Sequence, residues 1–142
     1  LQTVADPVER IRQLGHGYVR FALEHPQHYR LMFMTPNDLE HDEDALERRG
    51  DPHRDGYAFL RLSVQEAIER GRMRESYRDA DLAAQTFWAG VHGVASLQIT
   101  HASDDWVEWR DIAARTRAMI DGLLDGMTTP APVGRGKKAV QP

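Results

Sequence analysis

The sequence predicts an all-α domain, a helical bundle of about five helices. Apolar residues recur at intervals of three and four over most of the chain, the spacing that lines one side of a helix. Asp-Pro pairs and single aspartates stand just ahead of these stretches, where helices take their N-caps. No segment alternates apolar and polar residues over enough positions to form a strand.

The first helix opens at Asp6-Pro7-Val8-Glu9. Asp6 is placed as N-cap, Pro7 occupies the first helical position, where its missing N–H costs nothing, and Glu9 can close a capping box. Val8, Ile11, Gly15, Tyr18, Val19 and Ala22 make the apolar stripe, widened by Leu14 and Phe21. His25-Pro26 ends it, because a proline drives the preceding residue out of helical geometry. Pro26 then starts a short second helix through Tyr29, Met32 and Phe33, broken by Thr35-Pro36-Asn37-Asp38.

Residues 37 to 51 are crowded with acidic groups and offer only Leu39, Ala45 and Leu46 for burial. They predict a mobile loop with at most one weak helical turn. Asp51-Pro52 repeats the start signal for a third helix, whose stripe is Tyr57, Leu60, Val64, Ala67 and Ile68 and whose C′ residue is Gly71. Asp79 or Asp81 caps the fourth. Its apolar residues, Leu82, Ala83, Phe87, Trp88, Val91, Val94, Ala95, Leu97 and Ile99, cover every side of the cylinder, so it needs cover on more than one face.

Asp104 is expected to cap a last helix in which Trp109, Ala113, Thr116, Ile120, Leu123 and Met127 step by four and three like a heptad seam. Past Met127 the Thr-, Pro- and Gly-rich residues 128–142 cannot form a core and predict a disordered tail. The domain proper is therefore residues 6–127. Leu1 to Ala5 read as the end of a linker, and a start at leucine points to a fragment of a longer protein.

Composition removes several functions. A net charge of −4, with arginines interleaved among glutamates, gives no basic face for a phosphate backbone. Without cysteine there is neither disulfide nor thiolate site, which predicts a reducing, cytoplasmic setting. No apolar run reaches the ~20 residues that cross a bilayer.

The residues that could carry chemistry do not assemble into a motif. Pro26 separates His25 from His28, and the histidines at 41, 53 and 101 fall in loops or at a helix end, so no metal is expected. The serines lack a nucleophile elbow and no glycine-rich phosphate loop exists. No catalytic residue and no cofactor is predicted.

The unusual segment is Trp88-Ala89-Gly90-Val91-His92-Gly93-Val94-Ala95-Ser96. Trp88, His92 and Ser96, spaced by four, line one edge of a helix, while two interior glycines cost about 0.5–1 kcal/mol each and call for close approach of another helix. Trp88 and His92 can be core groups, the imidazole bonded to a nearby carbonyl, or that edge can face a cavity for a mostly apolar small molecule. Tyr18, Met32, Phe33, and Tyr57 or Leu60 are the candidate remaining walls.

The run Phe87 to Leu97 resembles the Trp…His-Gly signature of the C-terminal, WHG-type domain of tetracycline-repressor-like (TetR/AcrR) transcriptional regulators. His25-Pro26-x-x-Tyr29-Arg30-Leu31-Met32-Phe33 resembles that domain's His-Pro…Tyr…Met-Phe stretch. The resemblance implies a ligand-sensing homodimer, acting as a repressor, whose last two helices form a four-helix bundle with their symmetry mates. Val94, Leu97, Trp109, Ala113, Thr116, Ile120, Leu123 and Met127 would line that interface. It also implies a hydrophobic effector and contact with operator DNA only through an N-terminal helix-turn-helix absent from this chain. The competing readings are a small helical enzyme or metal/haem carrier using His92, and a purely structural interaction domain.

Overall fold

The computed structural model describes residues 3–35 and 49–130. They contain five α-helices: α1 (Pro7–Glu24), α2 (Pro26–Phe33), α3 (Gly56–Glu69), α4 (Ala80–His101) and α5 (Ile112–Met127), with a short 3-10 turn at Glu75–Tyr77. The expected loop at 37–51 and the tail from 131 onward lie largely outside the described residues.

The first helix starts as its sequence dictates. The Asp6 carboxylate accepts from the Val8 N–H at 2.9 Å, with Pro7 at the first helical position. Its buried side carries Val8, Ile11, Gly15, Val19 and Ala22. The third helix ends as expected too, with Gly71 at φ +66 and its N–H donating to the Ile68 carbonyl.

Two starts come later than the sequence suggests. Asp55, not Asp51, caps α3, its carboxylate accepting from the N–H groups of Tyr57 and Ala58. Asp51 organises a preceding turn, accepting from the His53 N–H and, through its carbonyl, from Arg54 and Asp55. Asp111, not Asp104, caps α5 through the Ala114 N–H. Trp109 therefore lies in the loop before the helix, half-buried beneath the Arg115 guanidinium at 4.7 Å from its ring centre. Asp79 rather than Asp81 caps α4.

The core gathers α1, α3, α4 and α5 around Ile11, Val64, Phe87, Ile120 and Leu124. Glycine permits two of the helix approaches. A Cβ at Gly15 would stand 2.8 Å from Phe87 Cζ and 3.0 Å from Ile120 Cδ1; one at Gly90 would stand 2.5 Å from Leu123 Cδ1 and 2.8 Å from Met119 Sδ.

The heptad seam requires a correction. Thr116, Ile120 and Met127 are all but fully buried within the single chain, so they have no surface to offer a partner. Their three-four spacing reports the face that α5 turns to its own core. Thr128 and Thr129, the first residues of the expected tail, are tied to the turn after α3. Thr128 forms an antiparallel bridge with Met73, and the Thr129 N–H donates to the Arg72 carbonyl.

The segment before α1 is pinned by three arginines. Arg10, 7% exposed, directs Nε and one terminal nitrogen at the Val4 carbonyl (3.1 and 2.9 Å) and the other at Glu66 (3.0 Å). Arg70 reaches the Ala5 carbonyl and Arg72 the Asp6 carboxylate.

Candidate functional site

Six aromatic side chains converge where α1, α2, α3 and α4 meet: Tyr18, Tyr29, Phe33, Tyr57, Trp88 and His92. The helices dictate this meeting. Tyr18 lies one turn beyond Gly15, whose missing side chain brings α1 against α4. Pro26 restarts the chain as α2, with Tyr29 and Phe33 one turn apart and on one side of it. Trp88 and His92 are likewise one turn apart on α4.

The rings touch in series. Tyr57 packs on Trp88 at 5.7 Å between ring centres, Trp88 on Phe33 at 6.2 Å, and Phe33 on Tyr18, Tyr29 and His92 at 5.5, 5.3 and 6.4 Å. These separations are contact distances for tilted and edge-on rings. A surface depression lined by Ser103, Asp104, Asp105 and Trp106 lies apart from this cluster.

Polar groups knit the inner end. Tyr29 Oη stands 2.7 Å and Tyr18 Oη 3.0 Å from His92 Nδ1, with 3.5 Å between the two hydroxyls. Tyr29 has no exposed surface, whereas Tyr18, Phe33, Tyr57, Trp88 and His92 are half-buried and keep an edge toward solvent. At the outer end Gln85 donates to the Tyr57 hydroxyl, which donates to Asp81, itself paired with Arg61.

Burial sets the protonation states. Desolvation lowers the His92 pKa, favouring the neutral imidazole. Desolvation also raises both phenols, opposed at Tyr18 by hydrogen bonding to Tyr29 and Trp88 and reinforced at Tyr29 by Tyr18. The cluster is thus an uncharged aromatic body with three hydrogen-bonding groups at its base. Among the described residues no three His, Asp or Glu side chains converge as a metal site requires. The neighbours of His92 are phenols and rings.

Of the walls expected from sequence, the structure brings Tyr18, Phe33, Tyr57, Trp88 and His92 into one cluster. Leu60 lies in the main core at 7% exposure, and Met32 stays 52% exposed. The Ser96 hydroxyl makes no hydrogen bond among the described residues; its carbonyl accepts from Thr100. The expected walls omitted Tyr29, the most buried member. Its one signal in the sequence was its place in the His25-Pro26-x-x-Tyr29 stretch, which does not say what the residue faces.

Outside the cluster, α4 carries a stripe of small and apolar residues, Leu82, Thr86, Ala89, Gly93, Leu97 and Thr100, at steps of three and four. Leu82 is 50% and Leu97 45% exposed, and a Cβ at Gly93 would meet nothing within 4 Å. On α5, Ala114, Ala118, Gly122 and Gly126 repeat every four residues, all exposed. Relative to the Gly90–Leu123 contact, both stripes lie on the side opposite the core.

Residues 11–123 match the family model described as tetracyclin repressor-like, C-terminal domain. No curated protein and no solved structure matches the chain.

Proposed function

Because this chain belongs to the tetracyclin repressor-like C-terminal domain family, we propose that it is the ligand-sensing and homodimerisation domain of a TetR-type transcriptional regulator, acting as a repressor. The observation that carries the reading is the position of the Tyr18–Tyr29–Phe33–Trp88–His92 cluster inside the matched region, where four of the five helices meet. A small, mostly apolar effector seated against the open edge of these rings would shift α1, α2 or α4, the helices that carry them. Through that movement ligand binding favours one arrangement of the dimer over another, by no more than its difference in affinity for the two. DNA reading would belong to a helix-turn-helix outside these 142 residues.

The dimer half of the proposal rests on the exposed stripes of α4 and α5. Small residues admit close helix approach, and a two-fold pairing of the α4–α5 layer would cover Leu82, Gly93 and Leu97. Val94, Leu97, Ala113 and Leu123, each with surface left in the protomer, are the members of the expected interface that this arrangement retains. Trp109 flanks it from the loop.

Light scattering at micromolar concentration tests the assembly, with twice the chain mass of 16.2 kDa expected. Leu97→Glu, at a position already 45% exposed, should give a folded monomer. A monomeric unaltered chain refutes the dimer. For sensing, a Trp88→Leu, His92→Phe variant of the intact regulator should lose its response to inducer while still binding operator; an unchanged response refutes the pocket.

A further inference from the structure

Two hydroxyls compete for one nitrogen. Tyr29 Oη lies 2.7 Å and Tyr18 Oη 3.0 Å from Nδ1 of His92. Each phenol proton needs an acceptor, and the alternatives within reach are long: 3.4 Å from Tyr29 to the His92 carbonyl and 3.5 Å from Tyr18 to Tyr29. Both exceed the ~2.7–2.8 Å of an ordinary O–H···O bond. Nδ1, with its single lone pair, is therefore the acceptor for one of them, Tyr29 at the shorter distance, while Tyr18 donates to the Tyr29 hydroxyl. A neutral imidazole that accepts at Nδ1 carries its proton on Nε2.

Nε2 makes no hydrogen bond among the described residues. His92 is half-buried, and its ring shares the open side of the cluster with Trp88 and Phe33. The result is a donor of fixed position at the edge of an aromatic surface. The nearby cations are already engaged: Arg61 with Asp81 beside Tyr57, and Arg30 with the Ile99 carbonyl. A buried carboxylate would find no counter-charge there, and an ammonium group would meet an N–H donor.

We propose that His92 Nε2–H is the specificity-determining donor of the effector site, and that it selects a neutral aromatic or alicyclic ligand carrying a carbonyl oxygen. Tyr18 and Tyr29 act as positioning residues, fixing the tautomer through Nδ1. The inference rests on the cluster being the effector site, as proposed above.

Nitrogen-15 NMR of the unaltered chain tests it first. At neutral pH His92 should show a protonated Nε2 and an unprotonated Nδ1; the opposite tautomer overturns the proposal before any ligand is added. Three probes with one carbon skeleton then follow: butyrophenone, butylbenzene and 1-phenylbutylammonium. One hydrogen bond predicts that the ketone binds about tenfold tighter than the hydrocarbon and shifts the His92 Nε2 resonance, with the ammonium weakest. If hydrocarbon and ketone bind the cluster equally, the cluster remains a ligand site and the donor assignment fails. If no probe perturbs the Trp88 and His92 signals, the site itself is refuted, and the donor with it.

Discussion

The hydroxyl of Tyr29 lies 2.7 Å from His92 Nδ1, tying α2 to α4 across a contact with no solvent on the tyrosine side. Tyr29→Phe keeps the ring and leaves Tyr18 to serve Nδ1, so it removes one net hydrogen bond. A loss of about 0.5–1.5 kcal/mol is expected. In urea unfolding the midpoint should fall at constant slope; an unchanged midpoint contradicts the bond.

The same burial makes stability depend on pH. The His92 pKa in the folded chain lies below its ordinary 6.5, so the unfolded chain binds the extra proton as pH falls. The contribution is fully present above about pH 6.5 and is lost on acidification toward the folded value. The unaltered chain should lose more stability between about pH 7.5 and 5.5 than His92→Gln, the remaining histidines being common to both. Equal slopes in denaturation at the two pH values would remove His92 as the source.

Gly15 and Gly17, two residues apart on α1, should respond oppositely to alanine. A Cβ at Gly15 meets Phe87 at 2.8 Å and Ile120 at 3.0 Å, inside a filled core, whereas one at Gly17 meets nothing within 4 Å. Gly15→Ala should cost about 1–3 kcal/mol. Gly17→Ala should gain about 0.5–1 kcal/mol from helix propensity. Thermal unfolding of the pair checks both signs with one apparatus.

On α4 the contrast reads out assembly. A Cβ at Gly90 meets the ends of Leu123 and Met119, flexible side chains that can swing aside, while Gly93 faces open space in the protomer. Gly93→Ala is expected to leave the protomer at least as stable and to weaken self-association, measured by sedimentation across a dilution series. Tighter association would place the dimer seam elsewhere.

Arg10 holds residues 4–6 and α3 together with one guanidinium. Lysine cannot reproduce a fork that addresses the Val4 carbonyl and Glu66 at once. Arg10→Lys should therefore lose most of what Arg10→Met loses, about 2 kcal/mol, by calorimetry. Retention of full stability in the lysine variant would show that charge alone suffices.

Much of this architecture was legible because helix signals are local. Asp6-Pro7 and Gly71 act through neighbours in sequence, and both stand where their chemistry places them. The late starts of α3 and α5 show the limit of such signals. Asp51 caps a turn with the same carboxylate-to-N–H bond that Asp55 uses to cap the helix, and no local rule ranks the two. The spacing of Thr116, Ile120 and Met127 announced a buried face without saying whose surface buries it. Tyr18, Trp88 and His92 were recognisable from periodicity, but Tyr29 depended on a tertiary meeting of α2 with α4 that no spacing within either helix encodes.

The tight seat of Gly15 against Phe87 and Ile120 also has a mechanical meaning. Any tilt of α1 about that contact has unequal arms. Three residues further along α1 stands Tyr18, about 4.5 Å away along the axis; nine residues back stands Asp6, about 13.5 Å away. A rigid rod pivoting at Gly15 moves its Asp6 end about three times as far as its Tyr18 end. The ties that such a swing would load are Arg10 to Glu66 of α3, and Arg70 and Arg72, just past α3, to Ala5 and Asp6. The helix that supplies a hydroxyl to the aromatic cluster is in this sense a lever with a short arm at the cluster and a long arm at the chain's entry.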